Sequence, residues 1–275
     1  MTHVMPVSRE TGATPRSVGS LRLSTKRVQE RSGLARFRTS GSIKVAFPRR
    51  DDAVEAIILN TSGGLTGGDR VDLMAEAGAG SHLILTTQAA ERAYRSRSGH
   101  ARVGTRLAAA AGSTLHWLPQ ETIVFDGASI ERRLHVDLAT NAELVLVEPI
   151  VFGRRAMGET LTSGTFRDSI TINRDNEPIY LDRIDLTGDI GTQLARPAVC
   201  AGMTSLASAL YCGPRAQGLL PAVRQALPAT GGASLLAPDL LSIRCLASDS
   251  FLLRRSLVPV LEMLTDNPLP KSWSL

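Results

Sequence analysis

The sequence predicts a mainly β fold: layered antiparallel hairpins in a solenoid-like β stack, with two to three helices, mostly C-terminal. Three observations predict it. Between about Leu21 and Leu186, short alternating runs of Val, Ile, Leu and Thr are punctuated by glycine, the period-2 signature of strands. Within that region one strand–turn–strand pattern recurs. After about Arg196 the composition shifts to Ala, Leu and Ser at helical spacing.

Taken in order, residues 1–20 carry Pro6, Pro15 and scattered Gly, Ser and Thr, and read as a flexible N-terminal segment. A single domain is expected over residues 21–275, with β layers to about residue 190 and a helical part after about 196. The recurring unit first occupies residues 71–85 and turns at Gly80. Its second copy is 102–117, turning at Gly112, and in the third, 133–146, Asn141 replaces the turn glycine. A weaker fourth copy, 169–181, turns at Asn176. These turns lie 32, 29 and 35 residues apart, the range in which one supersecondary unit stacks on the next. Helices are expected at 198–211, 219–227 and 251–264. Asp249 or Ser250 caps the last one, and Pro259 is expected to kink or shorten it.

Stacking has a positional consequence. Whatever follows the second strand of each unit emerges at equivalent places along one side. The segments that do so are 86–96, 118–127 and 148–159, and they are the least ordinary in the chain.

With 275 residues and 43% hydrophobic content the chain can build a substantial core. The apolar run 144–152 is far short of the roughly 20 residues of a membrane span, and Glu148 and Pro149 interrupt it. No apolar stretch follows Arg9 and Arg16 to make a secretory signal, so a cytoplasmic protein without a membrane partner is expected. Cys200, Cys212 and Cys245 are odd in number, widely spaced and set among small or apolar residues. They read as buried reduced thiols rather than a disulfide or a metal site. Residues 1–50 hold eleven Lys/Arg against Glu10 and Glu30, a net +9 that leaves −4 for the remainder. Aromatic residues make up only 4%, with no stacking or zinc-finger pattern, which argues against nucleic acid. The basic region reads instead as a solvated strand or a docking surface for an acidic protein partner.

Motifs for chemistry fail on detail. Residues 60–69, Asn-Thr-Ser-Gly-Gly-Leu-Thr-Gly-Gly-Asp, are glycine-rich, but Gly68 is followed by Asp69 rather than the lysine a phosphate loop needs. A tight turn is the physical reading, with Gly63, Gly64, Gly67 and Gly68 permitting positive φ or close backbone approach. There is no nucleophile elbow, and His82, His116 and His135 read as strand residues. Without His-x-His, His-Glu-x-x-His or Cys-x-x-Cys, no tight metal site is predicted. Acidic residues stand out more: Asp69, Glu91, Glu121, Asp126, Glu148 and Glu159 punctuate apolar or glycine-rich motifs, where a carboxylate is costly to bury alone. Two readings remain open for them. Either they form buried ion pairs with Arg92, Arg95, Arg154 and Arg155, or they line a polar channel that passes a divalent ion without holding it.

Residues 59–70, 85–96 and 118–127, in that order and spacing, resemble the hallmark segments of the urease accessory protein D family, also called H. Residues 148–159 are similar to its next segment, and the closing Pro270, Lys271 and Trp273 to its usual ending. The resemblance covers roughly residues 20–275. Asn60, Thr61 and Ser62 stand where the family often has His and prolines, so a metal role for that His does not carry over; Lys271 replaces a common arginine. The resemblance implies a β-rich, non-enzymatic scaffold that works with urease accessory proteins F and G on the urease apoenzyme. It implies no tightly bound cofactor, and nickel in transit toward the urease active site. On that basis Asp69, Glu121, Asp126, Glu148 and Glu159 are the nickel-passage candidates, and Tyr94, Arg95 and Trp273 the partner-docking candidates. A purely structural adaptor and a β-solenoid enzyme using Asp69, Glu121 and Glu148 are the competing readings.

Overall fold

A computed structural model describes residues 15–154 and 157–274. In chain order its strands are β1 (Val18–Val28), β2 (Arg31–Gly41), β3 (Ile43–Ala46), β4 (Val54–Asn60), β5 (Arg70–Ala77), β6 (His82–Thr87), β7 (Glu91–Ala93), β8 (Ala101–Ala109) and β9 (Thr114–Leu118). They continue with β10 (Thr122–Val124), β11 (Ser129–Leu138), β12 (Glu143–Phe152), β13 (Thr165–Arg174), β14 (Glu177–Thr187), β15 (Ser205–Cys212), β16 (Gly231–Ala237) and β17 (Leu240–Ala247). The helices are α1 (Ile190–Ala195), α2 (Ala216–Ala226) and α3 (Ser250–Thr265).

The strands form two sheets. The first has the order β14-β13-β11-β8-β5-β1-β2, and the second β16-β17-β15-β12-β9-β6-β4-β3. The recurring units are coils of a solenoid, as their spacing predicts: Arg70 pairs with Arg102 and His82 with Thr114, while Thr114 pairs with Glu143. These pairings repeat the 32- and 29-residue offsets of the turns.

The antiparallel hairpin, however, is corrected for the first three units. Their two strands do not pair with each other: β5, β8 and β11 run parallel in the first sheet, and β6, β9 and β12 run parallel in the second. Gly80, Gly112 and Asn141, at φ 64°, 66° and 60°, bend the chain from one sheet into the other. Each bend then bonds to the next coil, Gly80 N donating to Ala111 O at 3.2 Å and Thr114 N to Ser81 O at 2.9 Å. Only the fourth unit is a true hairpin. There β13 and β14 pair antiparallel across Asp175 and Asn176, whose two consecutive positive φ values suit a tight hairpin turn.

Side segments form a third, shorter ladder. Leu65 bridges Ala93, Ala93 pairs with Val124, and Val124 with Phe152, all four buried. The segments after the second strand of each unit therefore stack along one side.

Two cores result. One fills the space between the sheets, around Leu85, Leu115, Leu146, Phe152 and Phe166. The other lies between the second sheet and α2 and α3, around Val147, Tyr211, Leu257, Leu261 and Trp273. Because the second sheet is covered on both faces, its central strands are nearly continuous apolar runs.

Three further expectations are corrected. The lead-in ends earlier than residue 20, since Val18, Gly19 and Ser20 already pair in β1; residues 1–14 lie outside the described residues. The stretch 198–211 does not form a helix. Its second half lies in β15, Ser205–Cys212, whose eight residues are all buried, and β16 and β17 add two more strands after residue 196. Pro259 does not shorten α3, which starts at the Asp249 cap and runs to Thr265. Pro259 and Arg255 are both exposed, so the carbonyl left without a donor faces water.

Candidate functional site

Strand alternation carries three charged residues into the inter-sheet core. Arg132 is in phase with Ile130 and Leu134 on β11, Asp168 with Phe166 and Ile170 on β13, and Glu148 with Leu146 and Ile150 on β12. None survives there without partners. Arg132 Nη1 lies 3.0 Å from Glu148 Oε2 and donates to Thr122 Oγ1 at 2.7 Å, while Arg132 Nε donates to Asp168 Oδ1 at 3.1 Å. Arg132 Nη2 is 2.9 Å from Asp168 Oδ2 but makes no directed hydrogen bond, so that half of the fork is an ion contact only. Trp117 Nε1 donates to the other Glu148 oxygen at 2.6 Å.

Burial alone would lower the Arg132 guanidinium, but Asp168 and Glu148 outweigh it and hold Arg132 firmly charged. Burial pushes Glu148 the other way, above the ordinary glutamate value. The Asp168 charge adds to that, against the pull of Arg132 and Trp117.

This cluster walls a cavity of about 210 Å3, room for several waters, that also touches Thr105, Val103 and Gln120. At its other end it is lined by Asn60, Gly63, Gln88, Ala89, Glu91 and Arg92, of which Gly63, Gln88, Ala89 and Arg92 are exposed, so the cavity opens to the surface there. Glu91 accepts from Asn60 Nδ2 at 2.9 Å and from the Arg92 amide at 3.0 Å. Burial raises its carboxyl, only partly offset by those bonds. The glycine-rich turn shapes this mouth. A side chain on Gly64, at φ 146°, would collide with the Tyr94 ring and the Arg92 carbonyl, and one on Gly67 with Ser96 and Ser98. Gly63 and Gly68 take φ 79° and 93°.

Of the five candidate carboxylates, only Glu148 lines the cavity. Asp69 is buried but accepts the backbone amides of Ser17 at 2.7 Å and Thr66 at 2.8 Å, stapling β1 to the glycine turn. Glu121 faces Arg254 at 3.5 Å under the C-terminal turn. Asp126 pairs with Arg95 and accepts the Thr162 and Ser163 amides. Those bonds outweigh a burial penalty and hold it below the usual range. Glu159 is lowered by its side-chain bonds from Arg154. Among the docking candidates Tyr94 and Arg95 are exposed, Tyr94 with its ring edge on Phe125. Trp273 differs from them: it is 2% exposed, donates to Leu118 O at 2.9 Å and lies under the Arg254 guanidinium, so its ring is packed inside this chain.

Arg132 and Asp168 were not singled out by sequence. A signal for both existed: each is a charge in phase with the apolar face of a long alternating strand. Among the described residues no three or more His, Cys, Asp or Glu converge to hold a metal ion. His82, His116 and His135 are strand residues, the first two touching at 3.4 Å. The three cysteines are buried and free.

A two-sheet β-solenoid, backed by helices and holding a charged, surface-connected cavity, defines a scaffold built around side-stacked loops. A family model described as UreD urease accessory protein matches residues 17–274. The urease accessory protein UreD of Roseobacter denitrificans is 52% identical over 95% of this chain and 96% of its own length. That of Ruegeria pomeroyi is 47% identical over 93% and 100%, and that of Agrobacterium fabrum 43% over 94% and 92%. The chain belongs to the UreD urease accessory protein family, and is an accessory protein rather than an enzyme. No helix of the described residues is long and apolar enough to cross a membrane.

Proposed function

We propose that this chain is a nickel-insertion scaffold of the cytoplasm. With accessory proteins F and G it docks on the urease apoenzyme, and nickel passes through the charged cavity in transit rather than settling there. The observation that carries this reading is the cavity itself, which leads from Glu91 at an open mouth to Glu148 in the core. Two carboxylates whose charged forms are disfavoured by burial make weak, separated stations, which is what conduction requires. Tyr94 and Arg95, exposed beside the mouth, are the docking residues of this reading, and Asp69, Glu121, Asp126 and Glu159 hold the loops around it.

A structural adaptor is favoured by one observation, the commitment of those four carboxylates to ion pairs and backbone amides. The two readings part in a reconstituted mixture of apo-urease, nickel, the F and G proteins and this chain. E148Q and E91Q variants that co-purify with the partners yet activate urease poorly support passage. Full activation by both supports the adaptor.

A further inference from the structure

Within the proposed passage, one feature works against cation transit. The two carboxylates deepest in the cavity, Glu148 and Asp168, share a single guanidinium. A divalent ion arriving there meets a fixed positive charge and no free carboxylate oxygen pair. We propose that Arg132 is the latch of the cavity: a divalent cation reaches Glu148 and Asp168 only by displacing the Arg132 guanidinium from between them.

The surroundings allow that displacement. Arg132 lines the cavity, so free volume lies on one side of its head group. Its Nη2 makes no directed hydrogen bond and is held to Asp168 Oδ2 by an ion contact alone. Two of its present contacts do not involve the carboxylates: Thr122 Oγ1 accepts from Nη1 at 2.7 Å, and the buried Phe166 ring sits 5.4 Å from the guanidinium carbon, in range for cation–π attraction. The two carboxylates carry −2 against the single positive charge of Arg132, and a divalent cation between them matches that charge in full. Neither carboxylate is left uncompensated in the core.

This inference rests on the passage reading, and direct binding separates the two. Nickel is titrated calorimetrically into the full chain as wild type, R132K, R132M and R132M/E148Q, each checked for folding by circular dichroism. The latch predicts that R132K, whose point charge cannot bridge both carboxylates, binds nickel at least about tenfold more tightly than wild type. R132M is predicted to bind more tightly still, with the gain lost in R132M/E148Q. R132K retains a buried cation and so reports even where R132M does not fold. Folded R132K with wild-type affinity overturns the latch. If the Arg132 variants gain affinity while E148Q chains still activate urease fully, the latch stands and passage falls. If E148Q cripples activation while R132K binds as wild type, passage stands and the latch falls.

Discussion

Trp117 donates its indole N–H to Glu148 Oε1 across 2.6 Å, and the two residues sit on adjacent strands of the second sheet. The bond fixes one carboxylate oxygen and leaves the other to Arg132 at 3.0 Å. Removing the carboxyl group altogether strands both donors in the core. E148A is therefore expected to lose about 3–5 kcal/mol of stability. E148Q keeps an acceptor for Trp117 and is expected to lose less than half as much. Urea denaturation of the two variants checks the ratio.

A buried histidine and a half-buried neighbour set a pH dependence. Burial holds His116 well below its ordinary 6.5, with His82, Arg50 and Arg215 adding to the effect, and burial also lowers His82. The unfolded chain thus takes up protons near pH 6.5 that the folded chain refuses. Stability is full above that pH and falls as pH falls, by up to about 1.4 kcal/mol per pH unit for each histidine. Denaturant midpoints at pH 7.5 and 5.5 measure this, and H116L is expected to show a shallower fall than wild type.

The glycine turn separates strain from collision. At Gly63 an added side chain meets open space, and its φ of 79° is the only obstacle, so G63A is expected to cost about 1–2 kcal/mol. At Gly67 the same methyl overlaps Ser96 and Ser98, which forces the two loops apart. G67A is expected to be clearly the more damaging by thermal melting.

Trp273 closes the helical core from the C-terminal end. W273A is expected to cost about 3–5 kcal/mol, the range for emptying a large buried aromatic site. A role in partner docking predicts the opposite pattern, with stability kept and co-purification lost. Thermal melting beside co-purification with the F protein tells the two apart.

The stack was legible because its turns are chemically marked. Gly80, Gly112, Asn141 and Asn176 all adopt the left-handed conformation that their identity favours. Which strands pair was not legible, because alternation tells which face a residue is on but not which sheet its strand joins. The same limit explains β15: Ser205–Cys212 is buried on both faces, so its Ala- and Leu-rich run lacks alternation and reads like a helix. At the site, Glu148 stood out as a charge beside Pro149 in an apolar run. Asp69 and Asp126 stood out equally, yet their backbone-amide partners come from Thr66, Ser17, Thr162 and Ser163. Local sequence does not show whether a carboxylate faces a cavity or caps a loop.

The claim that nickel travels through the cavity is tested most directly by filling it. Thr105 is buried, lines the cavity and shares the inward face of β8 with Leu107, so T105F places a ring in the free volume. The measurement is the nickel bound to urease after apoenzyme, F and G proteins and either wild-type or T105F chain are incubated with the metal. A T105F chain that assembles with its partners but leaves urease largely without nickel is the predicted result. Wild-type nickel loading by an assembled T105F chain contradicts it.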